Sequence, residues 1–259
     1  MADRPVAVVT GASSGIGEAT ARALAARGYL CVLLARRAER LERIASEVGG
    51  EWEACDVADR ARVEEVAARI LERHPAIRIL VNNAGIPARG SFLEIAPERL
   101  EAVMDVNYLG GVWCLRALAP GLRAAAASEG AHVVNVVSVA GTVAFAPAGA
   151  YAASKHAQLA FSRSVAALLR GSGIRVHAIL PGFVETEGFP QRATLRSALL
   201  RRLVIEPEAV AAAIVRAVEK GQGEVTVPWF PYRLITVAQA LFPGLVAALA
   251  ARSAREHGE

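Results

Sequence analysis

Three residues in one stretch have the types and spacing for chemistry: Ser138, Tyr151 and Lys155 in SVAGTVAFAPAGAYAASK. Tyr151 and Lys155 are four apart, so a helix would raise both side chains from one face, one turn apart. A phenol is a poor acid and a poor base near pH 7, its ordinary pKa being about 10. A neighbouring ammonium favours the phenolate and lowers that value, which would give a tyrosine able to exchange protons at neutral pH. Ser138 closes the apolar run HVVNVVS, which reads as a buried strand with the hydroxyl at its carboxyl end, where open α/β sheets place ligands. Tyr-x-x-x-Lys also arises as an ordinary surface pair. Composition bears on the choice: the chain has 29 Lys+Arg, and only Lys155 and Lys220 are lysines. A lysine in an arginine-dominated chain points to a place where a compact ammonium is needed and a planar guanidinium would not serve.

The elements that must position these residues begin at the N-terminus. Pro5–Thr10 (PVAVVT) reads as a buried strand, followed by Gly11-Ala-Ser13-Ser14-Gly15-Ile16-Gly17 and the helical pattern EATARALAARG. Strand, glycine turn and helix together suit a pyrophosphate: glycines admit the backbone closely, and the helix start offers free N–H groups. The bland alternative is a tight strand-to-helix connection. A second strand, Leu30–Ala35, ends in Arg36-Arg37 with no acid until Glu39. NAD sites usually carry an acid there for the ribose 2′-hydroxyl, whereas guanidiniums suit a 2′-phosphate. The expectation is therefore NADP(H), with Arg36 directly at the strand end as the better candidate and Arg37 as the weaker one. The alternative is that both arginines simply open the next helix.

Further strands are expected at Glu51–Val57, ending in Asp56-Val57; at Ile77–Gly85, ending in Asn82-Asn83-Ala84-Gly85; at His132–Ser138; at Ile174–Leu180, running into Pro181-Gly182-Phe-Val184-Glu-Thr186; and at Glu224–Pro228. A helix from Pro97 carries Asn107 in its interior, either bonding nearby backbone or marking a kink with a bound water. A helix over Tyr151–Gly171 separates two of the strands, and 187–203 reads as a loosely helical flap. Alternating strands and helices predict an α/β, doubly wound parallel sheet of about seven strands with helices on both faces. The 259 residues fit one such domain over 1–228, with 229–259 as its apolar extension. Net charge is +4, but the arginines are interspersed with acids along helices, which reads as solvated faces and excludes a basic stripe for nucleic acid. Cys31, Cys55 and Cys114 lack metal-ligand spacing and read as buried reduced thiols of a cytoplasmic protein, with no metal expected. A strand beginning by residue 5 leaves no room for a signal peptide.

Taken together, TGASSGIG at 10–17, Asp56-Val57, NNAG at 82–85, Asn107, Ser138, YAASK at 151–155 and PGFVET at 181–186 resemble the compact short-chain dehydrogenases/reductases over nearly the whole chain. The resemblance implies a Rossmann-type sheet of strand order 3-2-1-4-5-6-7 and hydride transfer between a nicotinamide and a carbonyl or carbinol carbon. It implies Tyr151 as general acid/base, Ser138 on the substrate oxygen, Lys155 lowering the tyrosine pKa and binding the nicotinamide ribose, and Asn107 holding a relay water. It further implies cofactor contacts at Gly11, Ser13, Ser14, Gly15, Ile16, Gly17, Arg36, Arg37, Asp56, Val57, Asn83, Ala84, Gly85, Pro181, Gly182, Val184 and Thr186, and a homo-oligomer, dimer or tetramer. A non-catalytic dinucleotide-binding regulator is the reading from another class.

The chain departs from the branch containing the 3-oxoacyl-carrier-protein reductases, which end in a short strand. Here EVTV runs into PWFPYRLITVAQALFPGLVAALAAR, more like the hydroxysteroid and retinol dehydrogenase branch. Residues 229–249 read as a pocket lid or dimer contact, or alternatively as a membrane-surface anchor. Val143, Phe145, Phe189, Leu195, Leu199, Trp229 and Phe230 are expected to line the pocket, which predicts an apolar carbonyl or alcohol substrate.

Overall fold

A computed structural model of the chain describes residues 4–90, 92–144, 148–195, 198–246 and 248. The apolar runs form seven parallel strands: β1 Val6–Thr10, β2 Leu30–Ala35, β3 Glu51–Ala54, β4 Ile79–Asn82, β5 Ala131–Val136, β6 Ile174–Pro181 and β7 Glu224–Val227. Their order is β3-β2-β1-β4-β5-β6-β7, as expected. The connecting helices are α1 Gly15–Ala25, α2 Ala38–Val48, α3 Arg60–Arg73, α4 Pro97–Met104, α5 Gly110–Ala126, α6 Gly149–Leu168, the short α7 Gln191–Thr194 and α8 Ala198–Arg201, α9 Pro207–Lys220 and α10 Tyr232–Leu241.

Strand alternation builds two cores. On β1, Ala7 and Val9 face one layer, with Leu24 of α1, Leu41 and Ile44 of α2 and Val210 and Ile214 of α9. Val6 and Val8 face the other, with Val63 and Ile70 of α3, Leu118 and Leu122 of α5 and Val165 of α6. A sheet buried on both faces needs apolar residues at every position, which explains the continuous Val/Ile/Leu runs. The arginines lie in ion pairs along and between helices, such as Arg60–Glu64 at 2.8 Å and Arg43–Glu47 at 2.7 Å. Cys31, Cys55 and Cys114 are buried and unpaired.

Several boundaries differ from the sequence expectation, most of them at strand ends. β3 stops at Ala54, β4 at Asn82 and β5 at Val136, so Asp56-Val57, Asn83–Gly85 and Ser138 lie on loops just beyond the strands. The pattern runs past the ladders because these loops are partly buried and still bond to neighbouring strands, as Cys55 N–H does to Ala35 O at 2.9 Å and Val137 N–H to Ile179 O at 2.8 Å. Helix α6 begins at Gly149, two residues before Tyr151, and ends at Leu168. The C-terminal extension forms α10, tied down by Tyr232. A Cβ on Gly182 would come 2.1 Å from the Tyr232 ring, and the Tyr232 hydroxyl accepts from Phe183 N–H at 3.2 Å. Only glycine fits at 182, so the ring locks onto the end of β6. The rest of that segment leaves Trp229, Phe230, Leu234, Leu241, Phe242 and Leu245 exposed. Trp229 and Phe230, expected to line the pocket, are therefore surface side chains here. No helix among the described residues is long and apolar enough to cross a membrane.

Candidate active site

The carboxyl ends of β1, β4, β5 and β6 converge on one groove. The glycine turn comes first. Gly11 and Gly15 have φ of 64° and 56°, and a Cβ on Gly17 would lie 2.3 Å from the Gly11 carbonyl oxygen. The turn thus requires glycine for backbone conformation at two positions and for close approach at the third. Ser14 caps α1 without a side-chain hydrogen bond, leaving the first-turn N–H groups directed out of the helix. Asn83 anchors this turn: its Nδ2 donates to Thr10 O at 2.9 Å and to Gly11 O at 3.3 Å. The Thr10 hydroxyl in turn accepts from the N–H groups of Asn83 and Ala84, both at 3.0 Å. Such a cradle, narrow, backbone-lined and opening at a helix start, fits a dinucleotide pyrophosphate. Ile16 packs beneath it. Thr186 stands over it, its Cγ2 2.9 Å from where a Gly15 Cβ would be. Asp56 accepts from Ala58 N–H at 3.1 Å, and Val57 packs against Gly110 at the start of α5. Val184 is buried and bridges to Ile205.

At the end of β2 the two arginines behave differently. Arg36 is 68% exposed, its side chain 3.8 Å from Asp56. Arg37 reaches back over the glycine turn: Nε and Nη2 donate to Ser13 Oγ at 3.1 and 2.9 Å, Nη2 to Ser14 Oγ at 2.7 Å, and Nη1 to Glu187 at 2.9 Å. Arg37, ranked second from the sequence, is thus bonded to the glycine turn, and Arg36 is the more exposed of the two.

Ser138 lies two residues past β5. Its Oγ accepts from Ala140 N–H at 3.1 Å and donates to Pro181 O at 3.4 Å, which fixes it between the ends of β5 and β6. Tyr151 packs against Phe189, ring centroids 5.6 Å apart. Burial pushes its phenol up to about 12, opposed by hydrogen bonding with Ser138. Lys155 is buried, and burial pulls it down to about 7. Its Nζ donates to Val136 O at 3.0 Å and to Gln158 Oε1 at 2.8 Å, and lies 5.8 Å from the Tyr151 ring centroid. Burial, the largest influence on the phenol here, acts opposite to the lowering expected from Lys155. The ammonium is held on the strand side by two acceptors.

Asn107 sits within a π-helical turn, Asp105–Leu109, between α4 and α5. The widened turn directs its amide inward, as such bulges often do at functional sites. Oδ1 accepts from Ile86 N–H at 2.7 Å, and Nδ2 donates to Ile86 O at 3.1 Å and to Ser154 Oγ at 2.9 Å. Ser154 donates on to the Tyr151 carbonyl at 2.7 Å. Gly85 lies between Asn107 and Lys155: a Cβ there would be 3.3 Å from Asn107 Oδ1 and 3.7 Å from Lys155 Nζ. Ser138, Tyr151, Lys155 and Asn107 are thus brought together beside the glycine turn.

Sequence reasoning missed four contributors. Gln158 and Ser154 share the buried face of α6, and their signal was present: Ser154, Gln158 and Ser162 recur every four residues on a face otherwise required to be apolar. Arg89 and Arg99 join Pro87, Gly188, Phe189 and Pro190 around an open cleft of about 350 Å³ next to Tyr151. Of the expected lining residues Phe189 is there, Val143 is fully buried beneath, and Phe145 and the Leu199 side chain lie outside the described residues.

Comparison with known proteins agrees with this geometry. A sequence model of the short chain dehydrogenases matches residues 5–195. The chain belongs to that family. A dehydrogenase/reductase SDR family member 7B from Bos taurus is 32% identical over 97% of this dehydrogenase and 82% of its own length. Among solved structures, an alcohol dehydrogenase of the archaeon Thermococcus sibiricus, complexed with 5-hydroxy-NADP, superposes with a TM-score of 0.75 at 30% identity, covering 86% of this chain and 96% of that one. A short-chain dehydrogenase/reductase of Burkholderia phymatum, in complex with NAD, gives a TM-score of 0.79 at 28% identity, covering 92% and 95%. The family assignment makes the dehydrogenase an oxidoreductase. The solved relatives are complexed with 5-hydroxy-NADP, which carries the 2′-phosphate, and with NAD, which lacks it.

Proposed function

We propose that this dehydrogenase is an NADP(H)-dependent oxidoreductase acting between an apolar carbonyl and the corresponding secondary alcohol, with Tyr151 as general acid/base. The observation that carries the reading is the assembly of Ser138, Tyr151, Lys155 and Asn107 at the strand ends beside the glycine turn. The turn from Gly11 to Gly17, with Asn83, Val184 and Thr186, would hold the dinucleotide, and Ser13, Arg36 and Arg37 would meet a 2′-phosphate. When bound, the cofactor supplies or accepts a hydride.

Each residue then has one task. Ser138 Oγ donates a hydrogen bond to the substrate oxygen, where negative charge develops during reduction. A phenol raised to about 12 keeps its proton at neutral pH. Tyr151 is therefore loaded to act as the acid, and an alkoxide is basic enough to take its proton. Lys155, its amine fixed by Val136 O and Gln158 one helical turn below, would pair with the nicotinamide ribose hydroxyls. Asn107 fixes the helix at Ser154 and faces the same space as the Lys155 amine.

The test is NADPH oxidation against a graded set of aldehydes, short ketones and bulky apolar ketones, with NADH in parallel. General acid catalysis contributes roughly 10²–10⁴-fold, so Tyr151→Phe should lose activity on that scale while still binding cofactor. Equal turnover by the Tyr151→Phe variant would refute the role of the phenol. A strong preference for small charged substrates would refute the apolar substrate class.

A further inference from the structure

The segment after β6 does more than cover the groove. Glu187 follows Thr186, and its carboxylate reaches the arginines after β2, 150 positions away in sequence. Arg37 Nη1 donates to Glu187 Oε1 at 2.9 Å, and Arg40, one turn further along α2, donates to Glu187 Oε2. The same Arg37 is bonded to Ser13 and Ser14. One guanidinium thus ties the glycine turn to the segment over it, with a second arginine sharing the same carboxylate.

A carboxylate and a phosphate are alternative partners for an arginine fork, because both present paired oxygens to paired N–H groups. Resting on the dinucleotide reading above, we propose that Glu187 is a cofactor-selecting residue. Its carboxylate takes the guanidiniums that a 2′-phosphate would claim, so a phosphorylated cofactor must displace it and an unphosphorylated one leaves the contact closed. The charge count is consistent: two guanidiniums face one carboxylate, and Arg36 beside them is only 3.8 Å from its nearest acid and largely exposed. A dianionic 2′-phosphate neutralises this cluster better than Glu187 does. Both ion pairs are roughly half-exposed, and pairs of this kind are weak enough to exchange readily. The contact therefore acts as a tuner of selectivity and leaves the groove open to either cofactor.

Calorimetric titration of wild type and Glu187→Gln with NADPH, NADH, 2′,5′-ADP and 5′-AMP tests this without turnover. The expected result is that Glu187→Gln tightens NADPH and 2′,5′-ADP by roughly threefold to tenfold and leaves NADH and 5′-AMP unchanged or weaker. Amide hydrogen exchange at 185–189 should rise when 2′,5′-ADP is added to wild type and stay level with 5′-AMP. An unchanged or reduced NADPH-to-NADH affinity ratio in Glu187→Gln would overturn the proposal even where wild type prefers NADPH. If 2′,5′-ADP fails to bind either protein, both the selecting role and the NADP(H) reading fall. A wild type that prefers NADH, with the ratio shifting toward NADPH in the variant, would overturn only the cofactor preference.

Discussion

Lys155 offers an unusually direct test, because its amine has two identified acceptors and only one can be mutated. Gln158→Leu removes the side-chain acceptor at 2.8 Å and leaves the Val136 carbonyl at 3.0 Å. A hydrogen bond to a charged group is worth about 1.5–3 kcal/mol net. At about 1.36 kcal/mol per pH unit, its loss lowers the Lys155 pKa by about one to two units. The direction is fixed: Gln158 stabilises the ammonium, so removing it favours the neutral amine and adds to the burial that already holds Lys155 near 7. Lysine-selective isotope labelling makes the measurement simple, since the chain has only Lys155 and Lys220. Exposed Lys220 serves as the internal reference in an NMR titration of the cofactor-free protein. Leucine approximates glutamine in volume at this buried position, and a melting curve checks that the fold persists. Gln158→Glu should move Lys155 the opposite way. A shift below about 0.3 units in Gln158→Leu, or an upward one, would show that Gln158 does not set the charge of Lys155.

Other expectations follow from the same structure. His132 Nδ1 and His177 Nε2 are 2.9 Å apart in the interior, and burial, with His177 and two arginines nearby, lowers His132 to about 4. Its contribution to stability is complete above the unfolded-state value of about 6.5 and lost as pH falls toward 4, by up to about 3 kcal/mol. Urea unfolding across that range should show His132→Gln with a shallower pH slope than wild type, and parallel slopes would refute the assignment. Gly17→Ala should abolish NADPH binding in a fluorescence titration and cost about 1–3 kcal/mol in thermal unfolding, because its methyl would meet the Gly11 carbonyl at 2.3 Å. Tyr232→Phe leaves the Phe183 N–H without its acceptor and should cost about 1 kcal/mol. Tyr232→Ala should additionally release α10, seen as new protease cleavage after 228; resistance equal to wild type would show that α10 is held elsewhere.

Much of this was legible in the sequence because the signals are local. β-branched runs, the glycine turn with its helix, and the four-residue spacing of Tyr151 and Lys155 need no knowledge of distant contacts. The π-helical turn at Asn107 showed as an amide misplaced in a helix, although its partners at Ile86 and Ser154 did not. Strand ends read too long in the sequence because partly buried loops such as Asn83–Gly85 are as well bonded as the strands. The contact of Arg37 with Glu187, and the meeting of Arg89 and Arg99 with Phe189 in the cleft beside Tyr151, are tertiary juxtapositions. The influence of Lys155 on the phenol was expected from spacing alone. Burial of the phenol, which spacing does not reveal, acts the other way.

The histidine pair has a further consequence. His132 lies near the start of β5 and His177 midway along β6, while Ser138 follows the far end of β5. Six residue steps of extended chain separate His132 from Ser138, roughly 20 Å at about 3.3 Å per residue. The acid limit set at His132 and the proton chemistry proposed at Ser138 therefore sit toward opposite ends of β5. Substitutions at the histidines could widen the pH range in which the enzyme survives without touching the groups that fix its rate, and tolerance and catalysis in this scaffold can be tuned as separate traits.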